Sequence, residues 1–238
     1  MPELYQSPLF YQRLFGQRVH DVAFYRWLAQ GQVKVLELGA GSGRISLPLL
    51  EDGVHVRAVE RAPEMLRLLE EQAVDLGVRE RLTSLCVDFR DFELGERLSL
   101  AICPFNALAH LHTEEDLRRT LGHVERHLEP RGALVCDVLR REAHHDAQTT
   151  HLTPYFEHPE SGVPCRVLET LEFNAETNRL RIQLTLTAMR GPEHVEEHTL
   201  DLRFWSADEL AAAGDASGLE LTNHGNLGDS DLWVLRKP

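Results

Sequence analysis

The feature that most constrains the fold is an apolar run that passes directly into a turn with three glycines in five positions. Residues 33–38 read VKVLEL, and Gly39, Gly41 and Gly43 follow. Such a run is typical of a central parallel strand that is covered on both faces. Glycine lets the backbone turn sharply and lets a ligand approach the main chain, while the next helix offers free N–H groups. The segment therefore predicts a strand, a turn and a helix that cradle a nucleotide-type ligand.

Further apolar strands and amphipathic helices alternate along the chain after this turn. The pattern predicts strands and helices in the order strand 54–59, helix 63–76, strand 82–87, strand 98–103, helix 113–128 and strand 133–139. Alternation of this kind with short connections is typical of a parallel sheet with right-handed crossovers. We therefore predict an α/β fold with a doubly wound, mostly parallel sheet.

The pattern changes outside this core. Two helices are predicted over residues 8–30, with a break at Gly16. Residues 141–163 are rich in histidine and poor in aliphatic side chains, which predicts an exposed excursion. Alternating residues at 180–188, flanked by 165–174 and 195–205, predict a three-stranded antiparallel meander. Its apolar face would cover the substrate, form a subunit contact or, as we favour, pack on the main sheet. A helix from Ser206 and a hairpin at 219–222 and 231–235 are predicted to complete the sheet at seven strands.

Length, charge and cysteine usage exclude several classes of protein. The chain has 238 residues, which fits a single domain with an insertion. Its net charge of −13, without a basic cluster, argues against a nucleic-acid partner. The four cysteines form no C-x-x-C pair, so we expect reduced thiols and no metal site. No apolar stretch approaches the length that spans a bilayer, so we expect a cytoplasmic protein without a membrane partner.

The glycine turn is compatible with more than one kind of ligand. A phosphate-binding P-loop needs G-x-x-x-x-G-K-[ST], and neither this spacing nor the lysine is present. A dinucleotide site needs G-x-G-x-x-G, and Arg44 occupies the position of the third glycine. Glu60 ends the second strand 21 residues after Gly39, where a carboxylate can accept hydrogen bonds from ribose hydroxyls. Since nicotinamide enzymes share such an acid, Glu60 alone does not distinguish a dinucleotide from another ligand that contains a nucleoside.

The sequence VLELGAGSGR at 35–44 resembles the first motif of the class I S-adenosylmethionine-dependent methyltransferases, and the resemblance extends over residues 33–139. It implies a Rossmann-like fold, S-adenosylmethionine as cofactor, and a single methyltransferase domain. In that domain residues 1–30 would form a helical lid, 31–140 the cofactor-binding core, 141–205 the antiparallel insertion, and 206–238 the closing helix and hairpin. The implied cofactor-binding residues are Tyr11, Glu37, Gly39, Ala40, Gly41, Gly43, Glu60, Arg61, Met65, Asp88, Phe89, Cys103, Pro104 and Phe105.

The resemblance also implies individual contacts. Asp88 would accept a hydrogen bond from the adenine amino group, and the backbone N–H of Phe89 would meet a ring nitrogen. Met65 would lie against the adenine face, although a core methionine at helical spacing explains it equally well. Glu37 would lie beneath the methionine portion, whose ammonium group needs an acceptor. Arg44 would either pair with Glu37 or face solvent.

Methyl transfer mainly requires alignment of the acceptor with an activated carbon, so few acid–base residues are obligatory. His110 and His112 are the histidines nearest to the predicted reaction site, and His110 and Tyr11 are our catalytic candidates. Tyr5 belongs to the same amino-terminal segment as Tyr11. Asn106 would either bond a polar substrate atom or, as we favour, cap the next helix.

We expect methyl transfer to a small-molecule acceptor, with nitrogen favoured over oxygen, and a homodimer that forms through the inserted sheet. Two other functions remain compatible with the sequence. One is a catalytically silent cofactor-binding protein that acts as an interaction module, and the other is an NAD(P)-dependent oxidoreductase.

Overall fold

The computed structural model describes residues 4–16, 18–140, 148–153, 155–189, 196–228 and 230–238. The strands are β1 (Lys34–Leu38), β2 (His55–Glu60), β3 (Leu82–Cys86), β4 (Leu98–Cys103), β5 (Leu128–Leu139), β6 (Gln148–Leu152), β7 (Phe156–Glu157), β8 (Pro164–Asn174), β9 (Arg179–Ala188), β10 (Glu196–Arg203), β11 (Glu220–Leu227) and β12 (Ser230–Arg236). The α-helices are α1 (Pro8–Phe15), α2 (His20–Leu28), α3 (Ser46–Glu51), α4 (Pro63–Asp75), α5 (Glu114–His127) and α6 (Ala207–Asp215).

The main sheet has seven strands in the order β11-β12-β5-β4-β1-β2-β3. The strands from β5 to β3 run parallel, and the β11–β12 hairpin joins β5 antiparallel. The predicted fold class, a doubly wound and mostly parallel sheet with an antiparallel insertion, is confirmed. Strand order reverses beside β1 and β4, and ligands of open α/β sheets bind at such a reversal.

Side chains of β1 enter both layers of the core, as expected for a strand with helices on both faces. Leu36 and Leu38 pack in one apolar cluster with the α5 residues Leu117 and Leu121. Val35 packs in the other cluster, which includes Leu69 of α4. The alternation fixes the register of β1, so the backbone leaves the sheet at Gly39 in one defined direction.

Two helices begin at side-chain caps that the sequence indicates. Thr113 accepts a hydrogen bond from the Asp116 N–H, and acids fill the first turn of α5, where they oppose the positive end of the helix dipole. Ser206 and Glu209 form a reciprocal capping box at the start of α6. These caps define the residues at which α5 and α6 begin.

In its described residues the insertion is a five-stranded antiparallel sheet and not the predicted three-stranded meander. Within the predicted excursion, β6 and β7 both pair with β8, so that Leu152 lies opposite Leu168 and Phe156 opposite Cys165. The sequence of these short strands lacks an apolar alternation, so periodicity did not predict them. They form strands because they pair with the long neighbour β8. Residues 141–147 and 154 of the predicted excursion, and 190–195 before β10, lie outside the described residues.

The apolar face of the insertion is covered by the amino-terminal segment, in place of the main-sheet contact that the alternation predicted. Leu4 and Phe10 pack with Val167, Leu184 and Leu186 in a separate cluster. Phe10 is fully buried, and its ring stacks on His158 and His198 of the insertion. The closing hairpin is also longer than predicted, with its turn between Leu227 and Ser230. No helix among the described residues is long and apolar enough to cross a membrane.

Candidate functional site

One pocket opens at the carboxyl ends of the parallel strands, beside the glycine turn. It contains about 690 Å³ of space outside protein atoms, and part of this space is continuous with solvent. It is lined by Tyr5, Tyr11, Gly39, Gly41, Glu60, Arg61, Asp88, Phe89, Arg90, Pro104, Phe105, Ala107, His110 and Leu111. Nearly all of these follow β1, β2, β3 or β4, or come from the amino-terminal segment.

The glycines of the turn have different reasons to be glycine. All three have positive φ, at 70° for Gly39, 55° for Gly41 and 94° for Gly43. A Cβ on Gly39 would lie 2.9 Å from the Ala107 Cβ, and one on Gly43 would collide with the side chain of Leu69. A Cβ on Gly41 would meet no protein atom within 4 Å, and Gly41 lines the pocket. Gly41 therefore leaves open space in the pocket where a side chain would stand.

Glu60 joins the glycine turn to the end of β2. Its Oε2 accepts a hydrogen bond of 2.9 Å from the Gly41 N–H, and its Oε1 accepts one of 2.8 Å from the Ala62 N–H. Burial raises the pKa of Glu60, and the two backbone donors act in the opposite direction. The carboxylate therefore lines the pocket and at the same time fixes the turn above β1.

The acid that follows β3 is held by an arginine. Arg90 donates to Asp88 from Nε at 2.9 Å and from Nη2 at 2.8 Å, and also reaches Asp116 on α5. Burial opposes ionisation of Asp88, but its bonds with Arg90 hold its pKa below the usual value. Arg90 was not among the predicted residues, although its position two residues after Asp88 could have indicated the pairing.

A tyrosine and a histidine that both line the pocket form a hydrogen bond with each other. A hydrogen bond of 2.7 Å joins Tyr5 Oη and His110 Nε2, which are 105 residues apart in sequence. Burial lowers the pKa of His110 to about 4, with a smaller contribution from the charge of Arg61. The imidazole is therefore neutral at physiological pH. Tyr5 is the tyrosine bonded to His110, whereas the candidate from the sequence, Tyr11, packs on the Tyr5 ring with centroids 5.6 Å apart.

Two arginines lie over the ring of Phe105 in the pocket wall. The Cζ of Arg18 is 4.8 Å from the ring centroid, and that of Arg44 is 5.0 Å away. Arg44 donates to the buried Asp21 from Nη1 at 2.6 Å and from Nη2 at 2.8 Å. Neither proposed role of Arg44, an ion pair with Glu37 or a position facing solvent, is therefore correct. The buried Nη2 of Arg18 has no hydrogen-bond partner among the described residues.

Five predicted cofactor residues are not among the residues that line the pocket: Glu37, Ala40, Gly43, Met65 and Cys103. Glu37 accepts a hydrogen bond from the Ser46 hydroxyl, and burial raises its pKa to about 7. Met65 and Cys103 are fully buried. Direct contact of these five with a cofactor stays a prediction.

Asn106 does not cap the helix that follows it, contrary to the favoured interpretation. It has positive φ, at 59°, and makes no side-chain capping bond. Its buried Oδ1 has no hydrogen-bond partner in the described part of the chain. Phe105 and Asn106 are instead held through their backbones, because the Phe105 N–H donates to Asp137 Oδ1 at 2.9 Å and the Asn106 N–H to the Asp137 carbonyl.

Comparison with known proteins identifies what this chain is similar to. Residues 35–132 match a family model described as a methyltransferase domain. A glycine/sarcosine N-methyltransferase of Halorhodospira halochloris is 32% identical over 110 residues, which cover 45% of this chain and 40% of that enzyme. A dTDP-4-amino-2,3,4,6-tetradeoxy-D-glucose N,N-dimethyltransferase of Saccharopolyspora spinosa is 26% identical over 71% of this chain and 60% of that protein. The match thus spans less than two thirds of each relative.

Solved structures match over a larger part of the chain. A methyltransferase from Streptomyces caelestis superposes with a TM-score of 0.81 at 21% identity, over 99% of this chain and 98% of that one. An amino pentose methyltransferase from Micromonospora echinaspora, solved with S-adenosylmethionine bound, has a TM-score of 0.74 at 23% identity, over 95% and 94% of the two chains. At these identities the superpositions establish the fold.

Proposed function

We propose that the chain transfers a methyl group from S-adenosylmethionine to a nitrogen of a small molecule. The premise is that it has the class I methyltransferase fold and carries a methyltransferase domain at residues 35–132. The observation that carries this proposal is the pocket itself. The glycine turn with Glu60 forms one wall, and the Tyr5–His110 pair forms another. In this proposal the wall formed by the glycine turn holds the nucleoside, and His110 faces the acceptor across the same space.

The residues present fit such a cofactor. Gly41 keeps the space beside the turn open, and Glu60 and Asp88 offer carboxylate oxygens to ribose hydroxyls and to an adenine amino group. Beside this wall, the guanidinium of Arg18 lies over Phe105, and its buried Nη2 has no hydrogen-bond partner among the described residues. Bound S-adenosylmethionine supplies a methyl group that its sulfonium activates for in-line displacement.

The chain's own contribution to the reaction is to orient the acceptor amine for attack on the methyl group. An amine attacks only as the free base, so the acceptor must lose a proton before or after it attacks. With a pKa of about 4, the His110 imidazole is too weak a base to take this proton, which leaves to water. The neutral ring, whose orientation the Tyr5 hydroxyl fixes, instead holds the amine by a hydrogen bond. Tyr11 packs against Tyr5 and, in this proposal, helps the amino-terminal helices act as a lid that excludes water.

The net charge of the chain and the reactions of the enzymes it is similar to favour an amine over an alcohol as the acceptor. The net charge of −13 attracts cationic molecules and repels polyanions such as nucleic acids. Enzymes that methylate nitrogen are found among both the sequence relatives and the structural neighbours. The curated matches also include an O-methyltransferase of ubiquinone biosynthesis, so the acceptor panel below contains hydroxyl groups as well.

Calorimetry and labelled methyl transfer test the proposal. We expect S-adenosylmethionine and S-adenosylhomocysteine to bind, and labelled methyl to appear on amines from a panel of glycine, sarcosine, amino sugars, hydroxy acids and phenols. His110→Gln should lower turnover while cofactor binding persists, and His151→Gln, at an exposed position on the insertion, is the matched control.

The result also separates the alternatives. Cofactor binding without transfer to any acceptor would favour a silent interaction module. Protection by NAD(H) in thermal melts, without protection by S-adenosylhomocysteine, would favour an oxidoreductase and overturn the proposal.

The outward face of the insertion supports the homodimer as a further part of this proposal. Leu152 and Leu168 lie opposite each other on β6 and β8, and their exposed fractions are 55% and 37%. Exposed apolar side chains that adjoin each other are typical of surfaces that become buried in an assembly.

A further inference from the structure

The insertion contacts the core at the segment that carries His110. A four-residue 3₁₀ helix, Ala107–His110, follows β4 and leads through Leu111 to His112. It begins after two residues with positive φ, Phe105 at 55° and Asn106 at 59°. So short a 3₁₀ helix has few internal hydrogen bonds, and its position therefore depends on contacts with other parts of the chain.

Three hydrogen bonds tie this segment to β10 and the residues after it. His112 Nε2 donates to the Asp201 carbonyl at 2.8 Å. Arg203 Nη1 donates to the His112 carbonyl at 2.9 Å, and Trp205 Nε1 donates to the Leu108 carbonyl at 3.0 Å. The contacted residues, Leu108 and His112, lie two positions before and two positions after His110.

The donors of these bonds are themselves held firmly. The guanidinium of Arg203 lies over the Trp205 ring, with Cζ 3.9 Å from the centroid. It also donates to Glu209 Oε1 at 2.8 Å, and Glu209 belongs to the capping box of α6. Trp205 is 4% exposed. Because the rotamers of both donors are restricted by packing and by hydrogen bonds, they can define the position of a neighbouring segment.

We infer that the insertion positions His110: Arg203, Trp205 and the Asp201 carbonyl hold residues 107–112 and thereby keep the imidazole against the Tyr5 hydroxyl. This inference rests on the proposed function, in which His110 faces the acceptor. The insertion then has a role inside each subunit that does not require a dimer. Arg203 and Trp205 are positioning residues, because they act on the pocket through the segment that they hold.

Histidine NMR on the full chain tests the inference without an acceptor. His110 is assigned by its loss in His110→Gln, and its titration is followed in Trp205→Phe and His112→Leu. Trp205→Phe keeps an aromatic ring but removes the N–H donor, and His112→Leu removes the bond to Asp201. His112→Gln is the conservative rescue, because its amide N–H can replace Nε2. Arg179→Gln is the matched control, since Arg179 pairs with the Asp201 side chain and makes no bond to residues 107–112.

We expect the pKa of His110 to rise from about 4 toward its ordinary value of 6.5 in Trp205→Phe and His112→Leu, because a loosened segment admits water to the ring. His112→Gln and Arg179→Gln should titrate like the wild type. A general loss of stability would not produce this difference between His112→Leu and His112→Gln. If Trp205→Phe or His112→Leu folds and its His110 titrates as in the wild type, the inference is overturned.

Failure of this inference is distinguishable from failure of the proposed function. If the proposed function is wrong, wild-type protein will not transfer labelled methyl to any acceptor of the panel, whatever the NMR result. If only the inference is wrong, wild-type binding and transfer persist while the His110 titration is the same in all the folded variants.

Discussion

Glu37 and Glu60 end neighbouring strands and are both buried, but they are stabilised differently. Glu60 accepts from two backbone N–H groups, whereas the bond that supports Glu37 comes from the Ser46 hydroxyl. Burial raises the pKa of both. A carboxylate with two fixed donors is suited to present its charge to a ligand, and a carboxyl group with one neutral donor tends to retain its proton.

The raised pKa of Glu37 predicts a pH dependence of stability. Its pKa is about 7 in the folded chain against 4.5 for the ordinary group. Because its pKa is raised in the folded state, the Glu37 carboxyl group contributes stability that is fully present below pH 4.5. This contribution is lost as the pH rises through 7. In Glu37→Gln this dependence is absent. Its stability relative to wild type should therefore increase across that interval, by about 1.4 kcal/mol per pH unit where only the unfolded state is ionised.

Urea unfolding of both proteins at several pH values, without cofactor, measures this difference. The opposite pH dependence expected from the lowered pKa of His110 is present in both proteins and cancels in the comparison. A constant difference in unfolding free energy across the interval would show that Glu37 ionises normally in the folded chain.

Glu60→Ala tests the ribose assignment. We expect S-adenosylhomocysteine to bind more weakly by about 1 to 3 kcal/mol, because ligand hydroxyls and two backbone N–H groups lose their acceptor. Glu71→Ala, on the exposed side of α4 where Glu71 pairs with Arg67, is the control and should bind normally. Equal affinities of the two variants in calorimetry would remove Glu60 from the site.

Among the local elements, the glycine turn shows how similar backbone geometries serve different purposes. Gly41 and Gly77 both have positive φ, at 55° and 68°, and an added Cβ at either position would meet no protein atom within 4 Å. Only Gly41 lines the pocket. Comparison of alanine substitutions at Gly41 and Gly77 therefore separates the loss of stability due to backbone strain from the loss of affinity due to a blocked pocket.

Gly41→Ala and Gly77→Ala should lose similar stability, about 1 to 2 kcal/mol each, because alanine is strained in the left-handed region. Only Gly41→Ala should also lose affinity for S-adenosylhomocysteine, since its methyl group projects into ligand space. Thermal unfolding and calorimetry on both variants test this prediction. Normal binding by Gly41→Ala would mean that the ligand does not approach the turn.

At the scale of the whole molecule, the amino-terminal helices connect the main sheet to the insertion. Tyr5 and Tyr11 line the pocket, while Phe10, on the same segment, is buried against the insertion. Movement of this segment would therefore change the pocket and the insertion contact together.

The proposed homodimer is a prediction at this scale. Leu168→Glu places a charge on the outward face of the insertion and should shift the protein from dimer to monomer, because burial of an unpaired carboxylate is costly. Val74→Glu, at an exposed apolar position on α4, is the control and should leave the dimer intact. Light scattering after size-exclusion chromatography measures the mass. A monomeric wild-type protein would contradict the dimer.

The sequence by itself determined the parallel core and the edge of the sheet at which the pocket opens. Apolar alternation and helix caps are local properties, and the glycines at 39, 41 and 43 allow positive φ whatever surrounds them. It also indicated Glu60 and Asp88, because an acid directly after a parallel strand must lie at the carboxyl edge of the sheet.

Only the tertiary structure decided which distant side chains meet. Tyr5 reaches His110, Arg44 pairs with Asp21 and not with Glu37, and β6 and β7 become strands beside β8. These contacts depend on how the amino-terminal helices and the insertion pack on the core. A periodic pattern shows which face of an element is buried, but it does not specify the partner that covers it.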